Sequence, residues 1–151
     1  MKEKSFEPGC DNVVLIGMPG AGKSTLGIVL AKILCMDFVD ADLLIQQSCD
    51  KSLQRLIDTL GPDAFIEIEN QVLSEMSFEH SVIATGGSAV YSEAAMAHLG
   101  EIGRIVYLKI SFDELKQRLA DFSDRGVVMR DGIGMSLRDL YDERLPLYEK
   151  Y

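Results

Sequence analysis

The sequence has no tryptophan, four prolines and three cysteines, and aromatic residues make up only 7% of it. Cys10, Cys35 and Cys49 are odd in number, lack Cys-x-x-Cys spacing and have no companion histidine, which leaves neither a disulfide framework nor a zinc site. No apolar run approaches the roughly 20 residues of a membrane-spanning helix, and Met1-Lys2-Glu3-Lys4 leads into a polar segment instead of a secretory core. These absences describe a soluble, cytoplasmic protein with ordinary thiols. Basic residues are scarce too: 15 lysines and arginines face 24 acidic residues, and the net charge of −9 opposes nucleic acid or an anionic membrane as partner. The few tyrosines near the end, Tyr141, Tyr148 and Tyr151, read as packing residues and not as a base-stacking platform. His80 and His98 have no partner pattern and carry no assigned chemistry.

What is present begins with a composition able to form a core. The 151 residues, 47% of them hydrophobic, fit one domain spanning 1–151 and need no second domain. Short β-branched runs at Val13–Ile16, Phe38–Val39, Val82–Thr85 and Ile105–Ile110 read as buried strands. Between them run amphipathic stripes: Leu26, Val29, Leu30, Ile33 and Leu34; then Leu53, Leu56, Ile57 and Leu60; then Phe65, Ile68, Val72 and Met76. Ser111 and Glu114 have capping-box spacing. Gly61-Pro62 separates two helices, and Pro146 predicts that a helix starting near Ser136 kinks or stops just after Arg144. The alternation gives an α/β fold, a three-layer αβα sandwich with a central parallel sheet.

Gly17-Met18-Pro19-Gly20-Ala21-Gly22-Lys23-Ser24 satisfies G-x-x-x-x-G-K-[ST] between an apolar strand and an amphipathic helix. Backbone N–H groups of such a loop converge on a phosphate at the positive end of the new helix. Gly20, Ala21, Gly22, Lys23, Ser24 and Thr25 are therefore candidates to bind a nucleoside triphosphate, with Lys23 reaching its terminal phosphates and Ser24 offering a hydroxyl to Mg²⁺. No Asn-Lys pair exists to read guanine, the D-x-x-G match at Asp58–Gly61 falls on a helix, and the length excludes a large motor ATPase. A small-molecule kinase remains. Asp40 and Asp42 follow the second strand, at the carboxyl end where open α/β sheets bind ligands. One could hold Mg²⁺ and the other orient or deprotonate an acceptor hydroxyl, while Asp42 could also merely cap the next helix. Five of the seven arginines, Arg118, Arg125, Arg130, Arg138 and Arg144, lie close together in sequence and suit a small anionic ligand, or form surface pairs with nearby carboxylates. Residues 121–134, with three glycines and no period, read as a lid loop.

The order of these features resembles shikimate kinase, a P-loop family of the nucleoside monophosphate kinase-like group, from about Asn12 to Tyr151. The phosphate loop with "STLG", the "FVDAD" element, the "IATGGSAV" strand and turn and the late "ERLPLY" carry the resemblance. It implies ATP and Mg²⁺ as cofactors, Asp40 with Ser24 at the metal, and Asp42 at the acceptor hydroxyl. It further implies Gly86, Gly87 and Arg144 as contacts for the substrate, Arg118 against adenine and Arg125 as a lid arginine acting in catalysis. The implied partner is a small molecule, and the protein is expected to be a monomer.

Four departures stand beside the resemblance. The family's Phe-Arg-x-x-Glu reads Phe65-Ile66-Glu67-Ile68-Glu69, so an arginine expected to clamp the substrate carboxylate is Ile66; losing one such contact costs about 1.5–3 kcal/mol. The triple glycine reads Gly86-Gly87-Ser88, and the lid Arg-Pro reads Arg125-Gly126. The chain also stops before the last strand and helix that such kinases carry. Phosphoryl transfer from ATP to a hydroxyl of shikimate is the leading reading. Two others fit the same residues: a kinase of this fold for another small hydroxylated acid or amino acid, and a nucleotide-binding module without catalysis.

Overall fold

The computed structural model describes residues 12–120 and 136–151. Four strands form one parallel sheet: β1 (Asn12–Ile16), β2 (Asp37–Asp40), β3 (Ser81–Ala84) and β4 (Gly103–Tyr107), in the spatial order β2-β3-β1-β4. Val14 stands opposite Ile83 on one side and Ile105 on the other, and Val14, Leu15, Val82, Ile83 and Ala84 of β1 and β3 are apolar and inaccessible or nearly so. That is the pattern of strands covered on both faces. Asn12 ties the sheet's base together: its amide donates to the carbonyls of Phe78 and Ile102 at 2.6 and 2.8 Å and accepts from the Ser81 N–H at 2.9 Å. The fourth strand ends earlier than the apolar run to Ile110 predicts. Its ladder lasts only as long as β1 beside it, closing with Leu108 N–H to Ile16 C=O at 2.8 Å.

Seven α-helices are described: α1 (Lys23–Leu34), α2 (Ala41–Cys49), α3 (Leu53–Leu60), α4 (Pro62–Glu75), α5 (Glu93–Ile102), α6 (Phe112–Ala120) and α7 (Leu137–Glu149). The larger core joins Val14, Ile16 and Ile83 of the sheet to Leu73 of α4, Met96 and Leu99 of α5, Leu115 of α6 and Tyr148 of α7. On the opposite face Leu15 and Val82 meet α1 at Ala31. A smaller cluster of Ile45, Leu56 and Phe65 joins α2, α3 and α4 beside the sheet. None of the described helices is long and apolar enough to cross a membrane.

One expectation fails and another fails in part. The α1 stripe of Leu26, Val29, Ile33 and Leu34 faces outward, with Ile33 71% exposed, and only Leu30 of that set is partly covered. The helix meets the sheet through Gly27 and Ala31 instead, and it lies so close that a methyl group at Gly27 would stand 2.6 Å from the Phe38 ring. The small residues form the contact, and the large ones point away from it. Val106, in register with Leu15, is exposed on the same side of the sheet. Of the kink or stop expected just after Arg144, the stop does not occur: α7 runs through Pro146 to Glu149. Tyr148 explains the continuation, because its ring is fully buried, stacks on Tyr107 at 5.2 Å, and its hydroxyl donates to the Gly87 carbonyl. Those contacts offset one missing backbone donor. The Ser111–Glu114 pair forms as read, and α7 begins after Ser136 with a capping box to Asp139 that the sequence reading does not include.

Candidate active site

β1 delivers the chain into the glycine loop, and α1 carries it away. Gly20 and Gly22 adopt left-handed backbone angles, with φ of 78° and 95°, which glycine takes without strain. The Ala21 N–H closes the loop on the Met18 carbonyl at 3.0 Å. Lys23 is 8% exposed, and its ammonium donates to the carbonyls of Gly17 and Met18 at 2.8 and 2.9 Å. Burial pulls its pKa down from 10.5 to about 8, with Asp42 opposing that shift. A desolvated cation whose hydrogen bonds among the described residues go to carbonyls is poised for an anion. Arg118 reaches from α6 to the back of the loop, donating to the Gly20 and Ala21 carbonyls at 3.2 and 3.0 Å.

β2 ends at the paired carboxylates. Asp40 caps α2 through Oδ1, which accepts from the N–H groups of Asp42 and Leu43, while its Oδ2 accepts the Ser24 hydroxyl at 2.7 Å. The cap thus belongs to Asp40, and Asp42 is left for the cleft. Burial, followed by the charge of Asp40, raises the Asp42 pKa, and Lys23 pulls against it. β3 ends in Thr85-Gly86-Gly87. The Cα of Gly87 packs between Pro19 and the Arg144 guanidinium, where a methyl group would stand 2.8 Å from Pro19 and 3.1 Å from Nη1. Arg144 itself is fully buried on α7; its Nε donates to the Tyr91 hydroxyl at 3.0 Å and its guanidinium lies 5.0 Å from that ring.

These ends of β1, β2 and β3 open on one cleft of about 660 Å³. Gly20, Gly22, Lys23, Ser24 and Thr25 line one part, and Asp40, Asp42, Gly86, Gly87 and Arg144 are among the residues lining the other. Ala21 and Arg118 support the loop from outside that lining. Arg125 and residues 121–134, read as the lid, lie outside the described residues. Ile66 packs with the Ile45, Leu56 and Phe65 cluster and sends nothing into the cleft. Two residues given no role from sequence stand at its wall: Ser88, which lines it, and Glu69, which lies behind it and accepts the Ser88 hydroxyl. Their signal was present in the positions where the family pattern changes, at Ile66 and Ser88.

A sequence model described as shikimate kinase matches residues 19–151. The chain belongs to the shikimate kinase family. Shikimate kinases of Pseudomonas paraeruginosa and Clostridium botulinum (strain Okra / Type B1) are 40% and 37% identical to it, over 92% and 93% of this chain and 81% and 84% of theirs. Among solved structures, a shikimate kinase from Acinetobacter baumannii in complex with shikimate superposes with a TM-score of 0.83 at 32% identity, covering 93% of this chain and 79% of that one. The enzyme from Aquifex aeolicus gives 0.74 at 30%, covering 92% and 82%. The parallel sheet with flanking helices is thus the family's fold, and the family is one of kinases that use ATP.

Proposed function

We propose that this protein transfers the γ-phosphoryl group of Mg·ATP to a hydroxyl of shikimate. The observation that carries the proposal is the joining of the phosphate loop, Asp42, Gly86 and Arg144 in one cleft. The phosphate loop and Asp42 suit a phosphoryl donor and a hydroxyl acceptor, and the buried guanidinium suits the carboxylate of the acceptor. Lys23 and the loop N–H groups hold the terminal phosphates and stabilise charge on the transferring group. Asp42 orients the acceptor oxygen for in-line attack and takes its proton, a role that its raised pKa favours. Gly86 and Gly87 let the substrate approach the backbone.

Ser24 and Asp40 fit a magnesium ion: both are hard oxygen donors, they touch at 2.7 Å, and both face the cleft. The ion supplies neutralisation of phosphate charge. Arg118 is assigned to the adenine side and Arg125 to closing over the transferring group, both on the family resemblance. A kinase for another small hydroxylated acid is the second reading, favoured by Ile66 turning away from the cleft, which removes one carboxylate-clamping cation. An acceptor panel with product identification by mass tests the choice: phosphorylated shikimate formed at the highest kcat/KM supports the first, and a better acceptor replaces it.

A further inference from the structure

The wall behind the acceptor side of the cleft holds a group that the chemistry above leaves unused. α4 buries Glu69 to 1% exposure beneath the Gly86-Gly87-Ser88 turn, and the Ser88 hydroxyl, itself 3% exposed, donates to Glu69 Oε2. The other oxygen, Oε1, is buried with no hydrogen-bond partner among the described residues. It lies against the Cα of Gly86, close to Asp42 Oδ1. Three residues earlier on α4 stands Ile66, so the helix gives Glu69 no cation. The charged and titratable groups that face it are Asp42 from α2, Lys23 from α1, and Arg144 and Tyr148 from α7. Burial pushes the Glu69 pKa up to about 7, and the Ser88 hydrogen bond works against that rise.

A buried carboxylate with one oxygen unbonded is costly, and protonation relieves that cost. An anionic acceptor drawn to Arg144 would bring a second negative charge into the same small volume. We infer that Glu69, pinned by Ser88 behind the glycine turn, is a positioning residue for the acceptor, and that the pocket takes an anionic acceptor with Glu69 in its neutral form. The proton comes from solvent when the acceptor enters and returns when it leaves. Ser88 keeps the acid behind Gly86, away from the reacting hydroxyl, so the turn holds its shape in both states. This rests on the reading of the cleft as an acceptor site.

The test is calorimetric titration of the protein with shikimate from pH 6 to 8.5, in buffers of differing ionisation enthalpy, beside thermal unfolding without ligand over the same range. Expected are proton uptake on binding and an affinity that falls by up to about tenfold per pH unit above roughly 7. Glu69→Gln removes that dependence. Ser88→Ala moves the inflection to higher pH, because a bond favouring the ionised form is gone; a purely structural role would weaken binding equally at every pH. The wild-type unfolding midpoint falls through pH 7 relative to that of Glu69→Gln. Identical pH profiles in the three proteins, or binding without proton uptake, overturn the inference. If shikimate fails to bind at any pH while nucleotide binding is intact, the acceptor reading falls and takes the coupling with it; the unfolding profiles separately report whether Glu69 titrates.

Discussion

Gly86→Ala puts one methyl group where the structure leaves no room for it. The added carbon would overlap Glu69 Oε1 and stand 2.9 Å from Asp42 Oδ1, against an ordinary contact of 3.4 Å or more. Glu69 cannot yield easily, being buried and held by Ser88. The turn or Asp42 must therefore move, and Asp42 is the group placed at the acceptor hydroxyl. Overpacking of this kind costs about 1–3 kcal/mol, and each kcal/mol lowers Tm by roughly 2–4 °C in a chain of this size. The expected result is a fall of several degrees in Tm, with shikimate kcat/KM reduced about tenfold or more and the KM for ATP little changed. Thermal denaturation and steady-state kinetics with each substrate varied in turn measure both. A variant as stable as the wild type, with unaltered acceptor kinetics, would refute the placement of Glu69 and Asp42 against Gly86.

Lys23→Ala should abolish turnover while leaving the circular dichroism spectrum intact, and undiminished kinase activity in that variant would sink the mechanism. Arg144→Lys exchanges a forked donor for a point charge; the KM for shikimate should rise by about one to two powers of ten, with the KM for ATP as the unaffected control. Gly27→Ala gains roughly 1 kcal/mol of helix propensity and loses more to the Phe38 ring 2.6 Å away, so chemical denaturation should show net destabilisation by about 1–2 kcal/mol. A stabilised variant would mean that α1 stands farther from the sheet. Asp40→Asn removes charge beside Ser24 and should raise the Mg²⁺ concentration needed for half-maximal activity, which a magnesium titration at fixed ATP measures.

The phosphate loop was legible because its chemistry is local: eight consecutive residues carry the turn, the cation and the hydroxyl. The four strands were legible from short apolar runs, and the cleft followed from where those strands end. The face of α1 was not. Periodicity counts large apolar residues, whereas close packing against a sheet selects small ones, and Gly27 and Ala31 made the contact. Pro146 was read from backbone chemistry alone, although the buried Tyr148 beyond it held the helix together. The Ser88–Glu69 bond joins residues 19 apart in sequence through the approach of α4 to the turn after β3. Nothing in either segment by itself shows that approach. The departures at Ile66 and Ser88 could be seen, but their connection required the fold.

Release of ADP from Mg·ATP, measured with and without shikimate on the same preparation, tests the account most directly. Joining of the phosphate loop, Asp42 and Arg144 in one cleft predicts strong stimulation by shikimate, lost in Lys23→Ala. Nucleotide binding that stays intact while shikimate leaves ADP release at its background rate would contradict it.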